Sequence, residues 1–531
     1  VYSAAFIKQI MPASTYDYRV WFKDYTQKFD LSVNGVTTAK TLSFVSSSKL
    51  SSSLWGSCFG QSLSGGLDVK TESVTDGYKI TLTPVSGALN LTQACTLMYD
   101  LNTSQILKAR AGGDDGYAHN VIISSMTIDG VNTPINSTCA ATGCKDPGNG
   151  YVNAGYYAQW AVWDREYNPN SMPFASINDI IYAFIGFDKD TGNLASLDGN
   201  ADSWSIPVVS KAILQNPYMH AHLSFGGWTN NQVNTAPMFL KLSSSQASMQ
   251  NFATQAVALM KKTKFSGLDI DWEWWSEPEQ APAKQMLSFY KILRAELDKA
   301  GAADGKHYTL TIAVNAGVDR VNAMQDPSNP NSVADYWKQV NTLVDQINLM
   351  SYDYHGAYDN SKPAYFHANY DFANIPLDKQ ADVGQTSGWS IKAVVAAYQA
   401  NGITAKKLVL GLPAYARTMS VSGGTNGGLL QAVSGAGFGD YEAGVLDYKC
   451  LVNPVADKAN GCKNVSAGLS DLVFYNSKAT GTALSAFNTY GRDAMQPWAY
   501  SPSTNTFVTF DDTWSVTAKT KAAKDSGLGG M

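Results

Sequence analysis

Phe265-Ser266-Gly267-Leu268-Asp269-Ile270-Asp271-Trp272-Glu273-Trp274-Trp275 is the stretch that decides the fold of this chain. Asp269, Asp271 and Glu273 alternate with Ile270 and Trp272. On a β-strand the three carboxylates share one face, and Leu268, Ile270 and Trp272 share the other, which suits an apolar layer behind the strand. Three carboxylates at this spacing cannot all stay ionised. At least one is expected to titrate high, which makes Glu273 the candidate general acid at neutral or mildly acid pH. Two other readings fail on the residues. An EF-hand loop opening at Asp269 needs a glycine where Trp274 stands and a glutamate where Gln280 stands. A solvated charge cluster is not flanked by bulky apolar residues at every acid. A catalytic carboxylate strand is the reading that remains.

From Tyr151 the chain alternates strand-like and helix-like runs. The strand-like runs are Val152–Ala158, Ile180–Gly186, His220–Phe225, Phe265–Asp271, Tyr308–Val314, Gln346–Tyr352, Leu408–Leu412 and Gly527–Met531. Between the fourth and fifth, Met286, Phe289, Tyr290, Leu293 and Leu297 recur at helical spacing, and Gly301 reads as the stop. Another helix opens at a Ser390 cap and is followed by Gly402. Eight strands alternating with helices predict an α/β fold, a (β/α)8 barrel, whose reactive residues sit at the C-terminal ends of strands. Glu273 lies just past such an end.

Ser266-Gly267-Leu268-Asp269-Ile270-Asp271-Trp272-Glu273 resembles the D-G-x-D-x-D-x-E signature of the family 18 chitinases, with Ser266 in place of the first Asp. Ser224-Phe225-Gly226-Gly227-Trp228 resembles the family's S-x-G-G motif, Met350-Ser351-Tyr352-Asp353 its M-x-Y-D motif, and Tyr415-Ala416-Arg417 its Y-x-R element. The glycines of the first of these let backbone pass close to the acid strand. The resemblance implies roles. Glu273 protonates the glycosidic oxygen, Asp271 orients the substrate's acetamido group and shares a proton with Asp269 or Glu273, and Tyr352 holds the acetamido oxygen. Ser224 and Tyr156 support Asp269. Trp160, Trp228 and Tyr358 are aromatic platforms, Met350 lines the cavity, and Asp353, Tyr415 and Arg417 meet sugar. No second carboxylate nucleophile is implied, because the family is substrate-assisted. Chitin or chitooligosaccharides are the implied partners, with no metal or cofactor. An endo-β-N-acetylglucosaminidase is the neighbouring activity.

About seventy residues separate the seventh run from recognisable barrel sequence near Gln496, and they carry Cys450 and Cys462. The resemblance implies an α+β insertion over 421–492 that walls a deep groove. Family members continue past the eighth strand with a Trp-Glu pair whose Trp floors the cleavage subsite, whereas this sequence ends at Met531. The resemblance therefore implies either a shortened chain or a barrel without that floor. In the second case a non-catalytic chitin-binding protein is the expectation.

The first 145 residues read differently. Runs such as Tyr78-Lys79-Ile80-Thr81-Leu82-Thr83, set between Ser/Thr/Gly stretches, predict an all-β sandwich over 1–145 ahead of the catalytic unit at 146–531. By resemblance this is a fibronectin-like or chitin-binding accessory domain. Trp21 and Trp55 are either sugar platforms or core between two sheets. Proximity pairs the six cysteines as Cys58–Cys95, Cys139–Cys144 and Cys450–Cys462, which points to an oxidising compartment and a secreted protein. No positive n-region with an apolar h-region follows Val1, so any signal peptide is expected to have been removed or never to have existed. A net charge of −5 gives no basic footprint for nucleic acid, and no apolar run reaches membrane-spanning length. A monomer is expected.

Overall fold

The computed structural model describes residues 146–531, apart from 231, 275–280, 373–374, 453–461, 463–468 and 478–492, together with strand segments between 26 and 133. Seven parallel strands form one sheet in sequence order. They are β1 (Ala154–Ala158), β2 (Asp179–Ala183), β3 (His220–Gly226), β4 (Gly267–Asp271), β5 (Thr309–Asn315), β6 (Gln346–Met350) and β7 (Leu408–Leu410). Residues 528–531 supply the eighth segment, β8. Gly530 bridges Val152 on one side and Val409 on the other, both parallel. The backbone N–H of Val152 donates to Gly529 at 2.9 Å, and that of Leu410 to Gly530 at 3.0 Å. The two edges of the sheet therefore meet within the sequence that ends at Met531. The arrangement is TIM-barrel-like, as the alternation of runs predicts. Two glycines are needed for this closure: a Cβ on Gly529 would lie 2.0 Å from the Lys406 carbonyl oxygen, and one on Gly530 2.0 Å from that of Val152.

The outer face of β4 packs as its alternation requires. Trp272 is stacked on Phe239 at 4.9 Å between ring centroids, and Phe289 meets it edge-on at 6.5 Å. Leu268 and Ile270 are fully buried. Each such side chain contributes about 1.5–3 kcal/mol by leaving water, so the apolar half of the motif anchors the strand that carries the acids. Phe289 comes from helix α1 (Ala283–Asp304), whose buried stripe includes Met286, Tyr290, Leu293 and Leu297. The helix runs past Gly301 and ends at Gly305, which adopts φ 66°. Gly301 is a close-packing position: its Cβ would lie 2.4 Å from the Lys306 carbonyl oxygen. Helix α2 (Ile391–Ala400) starts at Ser390, whose side chain accepts from the N–H of Ala393, and Gly402 follows it at φ 95°.

Between β7 and β8 the chain builds a six-stranded antiparallel sheet. Its strands are Tyr415–Val421, Val433–Ala436, Val445–Asp447, Val473–Tyr475, Trp498–Ser501 and Thr506–Thr509. It reaches beyond 421–492 at both ends because Tyr415–Val421 pairs directly with Thr506–Thr509. Cys450 and Cys462 are bonded to each other.

In the N-terminal part, the described strands fall into antiparallel sheets. Among them, Leu42–Ser46, Leu67–Val74, Gly77–Pro84, Ile123–Ile128 and Val131–Thr133 make one sheet. Trp21, Trp55, Cys139 and Cys144 lie outside the described residues, as do the side chains of Cys58 and Cys95.

Candidate active site

The register of the barrel sets the site. Asp269 of β4 pairs with Ser224 of β3 and Thr311 of β5, and Asp271 pairs with Gly226 and Ala313. Side chains that point inward from one level therefore converge. Asp269 is fully buried and accepts hydrogen bonds from Ser224 Oγ (2.7 Å), Thr311 Oγ1 (2.5 Å), Tyr156 OH (3.3 Å) and Asn348 Nδ2 (3.4 Å). Tyr156 keeps its ring at the rim, 43% exposed, while its hydroxyl reaches inward and also accepts from Asn348 at 3.1 Å. Burial pushes the Asp269 carboxyl up, against the hydroxyl donors of Thr311 and Ser224.

Asp271 is buried, and its Oδ1 has no hydrogen-bond partner among the described residues. Burial, then Glu273, then Asp269 push its carboxyl well above the usual range. Glu273 is half-buried and is pushed up to about 7, by burial first and by the charge of Asp353 second. The three carboxyls thus form a ladder in which burial and mutual repulsion favour shared protons, and Glu273, the most exposed of the three, is placed to act as the acid.

The glycines of β3's end fit this crowding. Gly226 adopts φ 124°, and a Cβ on it would lie 1.9 Å from the carbonyl oxygen of Asp271. The N–H of Gly227 donates to that same oxygen at 2.9 Å.

At the end of β6, Tyr352 and Asp353 turn toward the site. Tyr352 meets Tyr415 edge-on at 6.2 Å, and burial followed by Asp271 pushes its phenol up, so it stays a donor. Asp353 adopts φ 60°, a conformation Asp tolerates better than most residues. Its carboxylate accepts from Arg417, from Tyr415 OH at 2.8 Å and from His367 Nδ1 at 3.4 Å. Burial acts against the charged form, but the Arg417 hydrogen bond dominates with His367, and the carboxyl is held well below its usual range. Arg417 therefore spends its Nε and Nη2 on Asp353.

Trp160, Trp228 and Tyr358 are 46%, 48% and 54% exposed. Trp160 stacks against Phe184 at 6.1 Å, and the Tyr358 hydroxyl donates to the Asp353 carbonyl. Met350 closes β6 half-buried.

The structure adds polar residues that motif reading does not name: Thr311, Asn348, Gln346, His222, Asp179 and His367. Four of them had a signal. In Gln346-Ile347-Asn348, Thr309-Leu310-Thr311 and His220-Ala221-His222-Leu223-Ser224, polar residues recur every second position in strands whose other face is apolar, so they must point into the barrel. Asp179 stands beside Ile180-Ile181 without such alternation, His367 lies alone in a loop, and neither had one. Among the described residues, Asp440, Asp447 and Cys450 are grouped closely enough for a metal, but the Cys450 sulfur is bonded to Cys462.

The family described as Glycosyl hydrolases family 18 matches residues 152–531. Chitinase 1 of Aphanocladium album is 29% identical over 429 residues, covering 77% of this chain and 86% of that protein. Endochitinase 1 of Metarhizium robertsii is 31% identical over 383 residues, covering 67% and 82%. In fold, the chain resembles the GH18 chitinase of Cycas revoluta solved with (GlcNAc)3, with a TM-score of 0.55, 20% identity, and 71% and 93% coverage. It also resembles the Group IV chitinase of Ostrinia furnacalis, with a TM-score of 0.56, 22% identity, and 72% and 91% coverage. The barrel, its acid strand and the match over 152–531 together place this chain among the glycosyl hydrolases of family 18.

Proposed function

We propose that this protein is a chitinase that cleaves β-1,4 links between N-acetylglucosamine units with retention of configuration, through the carboxylates of an eight-stranded barrel. The observation that carries the reading is the orphan Oδ1 of Asp271, buried beside an acid pushed up to about 7. A buried acceptor without a donor is costly unless a ligand supplies one. The N–H of an acetamido group is a donor of the right kind.

In the cleavage step Glu273 gives its proton to the glycosidic oxygen. The bond from that oxygen to the anomeric carbon breaks as the substrate's acetamido oxygen bonds to that carbon. Asp271, whose proton is shared with Asp269 or Glu273, accepts from the acetamido N–H and in its carboxylate form offsets the growing positive charge, while Asp269 remains fixed by Ser224, Thr311, Tyr156 and Asn348. Tyr352 donates to the acetamido oxygen. Water then attacks the anomeric carbon, the bond from that carbon to the acetamido oxygen breaks and restores the acetamido group, and the water's proton passes to Glu273, which returns the enzyme to its starting state. Trp228, Trp160 and Tyr358 stack on sugar rings, Met350 lines the cavity, and the remaining edge of Arg417 and Asp353 meets neighbouring hydroxyls.

The same reading proposes an extracellular monomer acting on chitin or chitooligosaccharides. The bonded Cys450 and Cys462 support it, and no described helix is long and apolar enough to cross a membrane. Residues 1–145 are proposed as an all-β accessory domain, and the inserted sheet as one wall of the substrate groove.

Incubation with colloidal chitin, followed by mass spectrometry of the soluble products, tests the function. N,N′-diacetylchitobiose that disappears in Glu273→Gln is the expected result, with turnover lower by at least about 10²–10⁴. Near-normal turnover by the pure variant would sink the assignment.

A further inference from the structure

Beneath Asp269 lies a second polar layer that the cleavage step does not use. His222 of β3 and Asp179 of β2 are both 3% exposed. His222 Nδ1 lies 2.9 Å from Asp179 Oδ1, and His222 Nε2 lies 2.7 Å from Thr309 Oγ1. The Thr309 hydroxyl can give its single proton to the Ser266 carbonyl at 3.2 Å and accept from the imidazole. In that arrangement both ring nitrogens donate, one to Thr309 and one to the Asp179 carboxylate, and His222 carries the positive charge.

The layer is joined to the acid strand. Gln346 Nε2 donates to Asp179 Oδ2 at 3.3 Å and to Asn348 Oδ1 at 2.9 Å. Asn348 Nδ2 in turn donates to Tyr156 OH at 3.1 Å and to Asp269 Oδ1 at 3.4 Å. Gln346 thereby spends its NH₂ on both Asp179 and Asn348, and Asn348 is turned with its carbonyl toward Gln346 and its NH₂ toward Tyr156 and Asp269. Gly267 makes room for this: a Cβ there would lie 2.8 Å from His222 Cδ2 and 2.2 Å from Thr309 Oγ1.

We infer that the buried His222–Asp179 pair is a positioning device for Asp269: it fixes the Gln346 and Asn348 amides and supplies the balancing positive charge below the acid strand. The groups facing His222 are Asp179 from β2, Asp269 from β4, Thr309 from β5 and, at longer range, Asp345 before β6, which is itself paired with Arg294 and His307. Burial works against the imidazolium, Asp179 outweighs it, and the net direction is upward. The same cation favours the ionised form of Asp269. Deleting it removes a favourable charge and strands Asp179 as a second anion near Asp269, so the pH at which Asp269 loses its proton must rise.

The inference rests on the chitinase reading for its kinetic arm and on the free protein for its spectroscopic arm. His222→Gln, with chitooligosaccharide as substrate, is expected to lower kcat about tenfold, to leave KM within about twofold, and to move the acid limb of the kcat profile upward by about one pH unit. Adding Asp179→Asn removes the stranded anion and is expected to bring the limb back, a result that a merely structural role would not give. In parallel, ¹⁵N spectra of the six histidines, assigned by loss of one signal in His222→Gln, should show both His222 nitrogens protonated at pH 7. A folded His222→Gln enzyme with an unchanged kcat profile overturns the inference. So does a neutral His222 at pH 6 in the wild-type spectra. Wild-type protein without chitin turnover sinks the function instead, and the spectra still decide the state of the pair.

Discussion

Arg417 grips Asp353 through two parallel hydrogen bonds, Nε to Oδ1 at 2.8 Å and Nη2 to Oδ2 at 2.5 Å. The contact joins the first strand of the inserted sheet to the loop after β6, and Tyr415 from the same strand adds a third donor. A fork that matches a carboxylate is a property of Arg that Lys lacks. The barrel and its insertion are thus locked together at the residue whose charge acts on Glu273.

Arg417→Lys should therefore fail to substitute. The expected loss in kcat/KM is about 10–100-fold, the scale of a charge-assisted hydrogen bond, and steady-state kinetics on chitooligosaccharides would show it. Stability carries a second signature. The Asp353 carboxyl is held below its unfolded value, so its contribution is present above about pH 4 and is lost as pH falls through the folded value. The Tm gap between wild type and Arg417→Ala should be widest near neutrality and should narrow below about pH 4. A gap constant from pH 3 to 7 would contradict the pairing.

Glu273 must carry a proton to act, and its carboxyl is pushed up to about 7 by burial and then by Asp353. Activity should fall as pH rises through about 7. Asp353→Asn removes the second cause, so the basic limb should move to lower pH by about half to one unit. The measurement is the pH dependence of kcat, and a limb that stays in place would separate Glu273 from Asp353.

Much of the barrel was legible because its strands are contiguous runs with one apolar face, and because three acids on the other face have few explanations. The seventh and eighth strands were legible too, although β8 is only four residues of glycine-rich backbone. What the motifs hid was partnership. Arg417 looked like a sugar donor, and only the turn at Asp353 brings the two together across more than sixty residues. Gly301 looked like a stop because a glycine in a helix and a glycine after one leave the same letter, and only the Lys306 backbone pressed against it tells them apart. The His222–Asp179 layer was within reach: polar residues at alternate positions of β3 and β6 were visible, yet their partners come from strands far apart in sequence.

The bond between Cys450 and Cys462 closes a short loop, with a sequence separation of 12. Loop-closure entropy for that length gives about 2–3 kcal/mol at 25 °C. Replacing both by Ser should lower the unfolding free energy by about that amount in guanidinium titrations. Because Leu446, Cys450 and Leu451 pack with Ala416 and Phe510 in one buried cluster, the loss should be felt in the inserted sheet, which is proposed as a wall of the substrate groove. KM for long chitin chains should rise while turnover of a short soluble substrate changes little.

Lys519 offers the sharpest test of how the last helix is held. Its ammonium is fully buried and donates to Asp511 Oδ1 at 2.6 Å, Gln496 Oε1 at 3.0 Å and the Ala368 carbonyl at 2.6 Å. It thereby ties the helix Thr513–Asp525 to the end of the inserted sheet and to the loop after β6. Burial pushes the ammonium pKa down and Asp511 opposes it, so the pair must stand or fall together. Lys519→Met keeps the volume but leaves Asp511 as an unpaired buried charge, which costs about 3–5 kcal/mol. Adding Asp511→Asn removes that charge and should return at least half of the loss, read as guanidinium midpoints of the three proteins at pH 7. Single and double variants of equal stability would mean that Lys519 matters as a donor to Gln496 and Ala368, and that its charge pairing with Asp511 is energetically neutral.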